Sequence, residues 1–347
     1  MDVSDAVVGS LLGTAIGDAL GLPYEGLSPR RAARLLGAPD RYRFLFGRGM
    51  VSDDTDHACF VAQALIRGGL DPDRFGRSLA WSLRFWLLSL PAGVGFATLR
   101  AILKLQLGFS YRHSGVFSAG NGPAMRSAMI GAAVDDTERL LQLVRVNARI
   151  THTDPRAEWA SAAVALAARH ARLGDESAFL EDLRVRLGPE AAPLVDPVAR
   201  AAASAARGET TAVFCAAEGL ERGVTGFALH TVPVAIHVWL RHPRDLRSAL
   251  SEAIRCGGDT DTVAAIVGGI IGAGVGAAAL PKDLLDGILE WPRSVAWISN
   301  LGAVLGESVA GRPSPCPGVP AIAVPIRNLF FLAIVLGHGF RRLLPPY

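Results

Sequence analysis

Lysine is nearly missing from this chain: only Lys104 and Lys282 occur, so its positive charge is almost entirely arginine. The net charge of +3 is small and no block of like charge is long enough to serve as a nucleic-acid arm, so no nucleic-acid partner is expected. Cysteine is scarce as well. Cys59, Cys215, Cys256 and Cys316 form no CxxC pair and lie in mostly apolar surroundings, which argues against a thiolate metal site or a disulfide framework and fits reduced thiols in a cytoplasm. The first residues, Met1-Asp2-Val3-Ser4-Asp5, are acidic where a secretory leader is basic. Long hydrophobic runs are wanting too. The longest, around 262–281 and 329–337, are respectively headed by an acidic cluster and too short for about 30 Å of hydrocarbon, so no membrane span is expected. Strand-like alternation hardly occurs.

What is abundant is helical periodicity on a chain rich enough in apolar residues to bury a large core, 50% hydrophobic and 19% charged over 347 residues. Segments near 5–21, 54–68, 72–90, 97–107, 123–133, 137–150, 156–173, 176–187, 197–206, 227–240, 244–255 and 260–278 all read as helices between Gly, Pro and Asp breaks. The spacing predicts an all-α globule, one domain over 1–310, in which short-to-medium helices surround a buried pair. Gly9, Gly13, Gly17 and Gly21 recur every fourth residue on the first helix, and Gly268, Gly272 and Gly276 repeat the device near the end of the last. Such stripes let backbones approach closely, so these two helices are expected to pack on each other. Beyond the turn-rich break Gly311–Gly318, residues 311–347 form an apolar extension expected to pack as a helix on the body or on a partner subunit. Oligomeric state is not written in the sequence.

Two acidic clusters about 200 residues apart carry the chemistry. Ser52-Asp53-Asp54-Thr55-Asp56 opens the apolar segment from His57 to Ile66, and Asp259-Thr260-Asp261-Thr262 follows Gly257-Gly258 and opens the Val263–Gly272 segment. Ser, Asp and Thr are good N-caps, but a cap needs one side chain. Several carboxylates in one helical turn repel one another unless cations neutralise them. Oxygen-only ligation without a Cys or His pattern points to Mg²⁺ or Mn²⁺ rather than Zn²⁺, and Ca²⁺ is less favoured because no EF-hand spacing is present.

Four further elements join them: Gly17-Asp18-Ala19-Leu20-Gly21-Leu22-Pro23-Tyr24-Glu25, which delivers Glu25 onto a loop; Ala119-Gly120-Asn121-Gly122-Pro123-Ala124-Met125-Arg126, whose backbone N–H groups could cradle a phosphate; Thr151-His152-Thr153-Asp154-Pro155, a helix start that Asp154 would cap; and the Gly- and Arg-rich loop from Arg41 to Gly49. Their order resembles that of the ADP-ribosylglycohydrolases over about residues 7 to 280. The matching signs are Gly-x-x-x-Gly-Asp-Ala-x-Gly-x-Pro with trailing Glu25, Ser-Asp-Asp-Thr at 52–55, Gly-Asn-Gly-x-x-Met-Arg at 120–126, Thr-His at 151–152 and Gly-Gly-Asp-Thr-Asp-Thr at 257–262.

The resemblance implies a compact orthogonal multi-helix fold around two Mg²⁺, or Mn²⁺, that hydrolyses the C1″ bond joining an ADP-ribosyl group to a protein or small-molecule acceptor. By position, Ser52, Asp53 and Asp54 would ligate from one arm and Asp259, Asp261 and Thr262 from the other, with Asp261 best placed to bridge. Glu25, Asp54 and Asp261 would carry the chemistry, Glu25 either ligating or activating water. Gly120, Asn121, Gly122 and His152 would line the pyrophosphate and the proximal ribose or adenine. Ser52 stands where many relatives have Thr, Pro123 where a small residue is common, and Asp56 adds a carboxylate. A Mg²⁺-dependent nucleotide pyrophosphohydrolase, or a non-catalytic ADP-ribose-binding relative, is the alternative.

Overall fold

The computed structural model describes residues 1–345 and is built of α-helices and short 3₁₀ turns, with only isolated bridges in place of a sheet among the described residues. Aspartate starts many of the helices. The side chains of Asp2, Asp71, Asp136, Asp154 and Asp245 each accept from a backbone N–H of the first turn, the expected use of Asp at an N-cap.

At the centre lie the N-terminal helix, Val3–Gly21, and the second acidic helix, Thr260–Val275; the latter is buried from Thr260 through Gly274. Their glycine stripes interlock. A methyl group at Gly13 would land on the carbonyl oxygen of Gly268, one at Gly17 on that of Ala264, and one at Gly9 on that of Gly272. The two backbones therefore touch with no side chain between them, and the Thr260 hydroxyl closes the contact by donating to the Gly21 carbonyl at 2.9 Å. The first acidic helix, Asp53–Gly68, and the helices Val295–Val309 and Ala128–Ala133 pack on the N-terminal helix around this pair.

Several elements differ from the sequence expectation. The expected helix over 123–133 is broken into a 3₁₀ turn, Ala124–Arg126, and the helix Ala128–Ala133. Four helices were not anticipated: Pro29–Leu36, Thr211–Ala217, Lys282–Gly287 and Val295–Val309. In the last, Gly302 and Gly306 look like breakers but are contact points, lying against Val8 and Ser4 of the N-terminal helix.

The C-terminal apolar segment is longer than its hydropathy run suggests: it continues as one helix, Ala323–Arg342. At 20 residues it is long and apolar enough to cross a bilayer, as is Val3–Tyr24, but the latter is 94% buried in the fold whereas only 28% of the former is covered. The C-terminal helix lies on the body through a buried ion pair between Arg327 and Glu290 (2.6 Å), a bond from Arg327 to the Val51 carbonyl (2.5 Å), and Asn328 donating to the Ser89 carbonyl (2.8 Å). Phe331 completes a small cluster with Leu22, Phe44 and Met50.

Because the central contact is backbone on backbone, Gly13→Ala has nowhere to put its methyl group. We expect a loss of at least about 1–3 kcal/mol, typical of overpacking, read as a lowered midpoint in thermal denaturation, while Gly337→Ala, exposed on the C-terminal helix with open space around it, should not lower the midpoint.

Candidate active site

Ser52 caps the first acidic helix, its hydroxyl oxygen accepting from the Asp54 N–H at 3.3 Å. That end is fixed from below by Asp18 of the N-terminal helix. One Asp18 carboxylate accepts the Ser52 N–H (2.9 and 3.0 Å), the Thr55 N–H (3.1 Å) and the Thr55 hydroxyl (2.5 Å). Asp18 is fully buried, and burial pushes its pKa up to about 6 against the opposing pull of these hydrogen bonds, that from Thr55 foremost.

Asp54 joins the two clusters. Its Oδ2 accepts from Ser52 Oγ at 3.2 Å and from Thr262 Oγ1 at 3.3 Å, across 208 residues of chain, while its Oδ1 is buried without a partner. On the other arm, Asp261 Oδ1 accepts the Thr262 N–H at 3.0 Å. Asp53, Asp54 and Asp261 are all driven well above the usual carboxylate range, first by burial and then by the surrounding carboxylates, Asp18 foremost for Asp53 and Asp54 and Glu25 for Asp261.

Glu25 stands over this group on the turn after Leu22–Tyr24. Gly26 donates to the Gly258 carbonyl (2.7 Å) and Gly258 to the Leu27 carbonyl (2.9 Å), so the Glu25 turn is tied to the backbone that leads into Asp259. Gly258 has φ +81°, and a side chain there would strike Val224 on its other side, so only glycine fits between the two segments. The Glu25 carboxyl is raised by desolvation and by Asp259, with Arg342 pulling the other way.

A groove of about 530 Å³ runs from Glu25, Asp53, Asp259, Asp261 and Thr262 past Gly120, Asn121, Gly122 and His152. Of the residues to which the resemblance gives a role, all but Ser52 and Asp54 line it; Ser52 lines an adjoining chamber and Asp54 is buried. Asn121 uses its side chain on the protein, donating to Asp259 Oδ2 (2.6 Å) and Thr231 Oγ1 (2.9 Å), so it orients Asp259. Its own N–H goes to the Gly226 carbonyl, and those of Ala124 and Met125 go to its carbonyl.

His152 faces Gly120, where an added methyl group would sit 3.0 Å from Nε2. Arg126 donates to Thr151 Oγ1, and that hydroxyl lies 2.9 Å from His152 Nδ1, so the ring is held through Nδ1 with Nε2 toward Gly120 and the groove. Burial, with Arg126 nearby, lowers the His152 pKa to about 3, so the ring is neutral. Asp154 caps its helix, and Asp56 turns away to Arg293 (2.8 Å) and Trp86 (3.1 Å).

Sequence inspection missed Asp18, and a carboxylate inside an otherwise apolar, glycine-striped helix was the available signal. It also missed Arg100 and the exposed rings of Phe96 and Phe117, which line the same groove. A larger cleft of about 620 Å³ around Arg241, Arg247, Glu252 and Arg255 holds none of these carboxylates.

The ADP-ribosylglycohydrolase family model matches residues 1–314. The chain belongs to the ADP-ribosylglycohydrolase family. It is similar to an uncharacterized protein of Archaeoglobus fulgidus, 31% identical over 81% of this chain and 90% of that one. It is also similar to the ADP-ribosyl-[dinitrogen reductase] glycohydrolase of Rhodospirillum rubrum, 26% identical over 82% of this chain and 90% of that one. Among solved structures, a chain of an ADP-ribosylglycohydrolase-related protein complex superposes with a TM-score of 0.60 at 28% identity, covering 90% of this chain and 99% of that one. Membership carries the general activity, glycohydrolysis of ADP-ribosyl groups.

The oxygen set suits hard divalent cations: three strongly raised carboxyls, one orphaned carboxylate oxygen on Asp54, and the Ser52 and Thr262 hydroxyls beside it. Among the described residues no three His, Cys, Asp or Glu side chains converge as a ready-made cage, so hydroxyls are needed to complete any such set.

Asp18 provides a sign test. Its folded pKa of about 6 lies above the ordinary 3.8, so it stabilises the protein most below pH 3.8, and that contribution is lost as pH rises through about 6. In chelator, the melting temperature of the wild type should therefore fall between pH 5 and pH 7. Asp18→Asn, which presents an amide group to donors, should cost about 1–3 kcal/mol and flatten that slope.

Proposed function

We propose that this protein hydrolyses the C1″ glycosidic bond of an ADP-ribosyl group, freeing ADP-ribose from a small molecule or a protein side chain, with two Mg²⁺ as cofactors and Mn²⁺ able to replace them. The observation that carries this reading is the meeting of two acidic helix starts through Asp54 and Thr262, beside Glu25 and a groove of about 530 Å³, a size that suits a nucleotide-like ligand. Ser52, Asp53 and Asp54 from one arm, and Asp259, Asp261 and Thr262 from the other, would hold the ions. When bound, the ions supply Lewis-acid charge that orients the ribose hydroxyls and acidifies water.

The chain's own groups do the rest. Water adds to C1″, the bond from C1″ to the acceptor breaks with its electron pair going to the acceptor, and Glu25 takes one proton of the water and returns it to the departing acceptor. Its raised pKa suits that exchange. Asn121 keeps Asp259 aimed, the His152 Nε2–H donates to an oxygen of the bound nucleotide, and Arg100 faces the pyrophosphate while Phe96 and Phe117 offer stacking faces to the adenine. Four free thiols suit a reducing compartment such as the cytoplasm.

The test is release of ADP-ribose, identified by mass, from arginine-linked, serine-linked and O-acetyl substrates with Mg²⁺, with Mn²⁺ and with EDTA. Asp261→Asn should abolish both turnover and Mg²⁺ binding by calorimetry. Glu25→Gln should retain the cation and lose about 10²–10⁴-fold in turnover; full activity in that variant removes Glu25 from the mechanism. AMP as the product would identify a pyrophosphohydrolase instead.

A further inference from the structure

A second, smaller chamber of about 160 Å³ meets the groove at Glu25, Asp53 and Asp261, which line both. Leu22 and Phe44 form one side. The C-terminal helix forms the other through Phe331, Val335, His338, Gly339 and Arg342. This helix lies beyond residue 314, where the family match ends.

The wall is fastened at both ends. Near its start, Arg327 is held by Glu290 and donates to the Val51 carbonyl next to Ser52. Toward its end, His338 stacks on Phe44 with centroids 5.0 Å apart and bonds its carbonyl at 2.6 Å. Arg342 donates to the carbonyls of Pro23 (3.0 Å) and Glu25 (2.8 Å). A helix pinned in this way walls the space beside Glu25 on that side.

In hydrolysis at C1″ the ADP-ribosyl part occupies the groove, and the acceptor must lie on the other side of the reacting carbon. The chamber is the space available there. Resting on the glycohydrolase reading above, we propose that it is the leaving-group subsite and that it selects a compact acceptor with an apolar body, about one ring in size, carried by a small-molecule conjugate rather than by a side chain of a folded protein. Its volume is close to that of cavities of about 150 Å³ that hold a single benzene-sized ring, and Leu22, Phe44, Phe331 and Val335 give it apolar walls, with Glu25, Asp53 and Asp261 where it meets the groove.

The experiment compares the full chain acting on small ADP-ribosyl conjugates, single-ring and two-ring, and on an ADP-ribosylated folded protein with the same linkage. The single-ring conjugate should be preferred by about tenfold or more in kcat/KM. Gly339 is exposed, and a side chain there meets nothing within 4 Å, so Gly339→Trp can fill the chamber without moving the backbone. It should lower kcat/KM for the single-ring conjugate by about tenfold while ADP-ribose affinity by calorimetry and the melting temperature stay at wild-type values. Val335→Ala should improve the two-ring conjugate relative to the single-ring one. Equal rates on the protein-borne substrate, or unchanged turnover in Gly339→Trp, would overturn the chamber assignment alone. Absence of ADP-ribose release from every substrate would overturn the glycohydrolase reading and the chamber with it.

Discussion

Everything at the site depends on one contact: two helices whose backbones touch along facing glycine stripes. Side-chain packing leaves 8–10 Å between helix axes and tolerates adjustment; glycine against carbonyl tolerates very little. The N-terminal helix carries Asp18 in its last turn and Glu25 just past its end, and the second acidic helix begins with Asp259, Asp261 and Thr262. Once Gly9, Gly13 and Gly17 are seated against Gly272, Gly268 and Ala264, the height of these groups relative to one another is set by helix rise alone. Asp18 then brings in the first acidic helix by accepting its free N–H groups, so one fixed pair positions three helix ends.

This arrangement conflicts with stability in a way the pKa directions make visible. Burying Asp53, Asp54 and Asp261 side by side raises each well above its ordinary range, and Asp54 keeps an oxygen with no partner at all. Hydrophobic burial elsewhere must offset that repulsion, and the large apolar core around the central pair supplies it. Arg126 and His57 show the same bargain on the cationic side. Arg126 is fully buried without a carboxylate partner, its guanidinium pKa lowered to about 9, and is satisfied by Asn147, Thr151 and His57. It orders the Thr151 hydroxyl and, through it, the His152 ring.

Much of this was legible in the sequence because it is periodic or clustered. The glycine stripes recur every fourth residue and the acidic groups fall within single turns, so both could be read without knowing what lies opposite. The roles of Asp18 and Asn121 could not, because each is defined by residues distant in the chain: Ser52 and Thr55 for the first, Asp259 and Thr231 for the second. Val295–Val309 was missed because its glycines resemble breaks when their partners on the N-terminal helix are unknown. The C-terminal segment was read as apolar and helical, yet only the fold shows that Val335, His338 and Arg342 stand beside Glu25.

The turn that bears Glu25 is bound on both flanks, its N–H to Leu22, its carbonyl to Arg342, and the residues after it to Gly258. Its main chain is therefore a fixed pivot, and what remains free is rotation about the side chain's own bonds. Such rotamer changes at an accessible residue take picoseconds to nanoseconds, against microseconds to milliseconds for a hinged segment. The Glu25 carboxylate can therefore exchange between rotamers with no movement of the main chain beneath it.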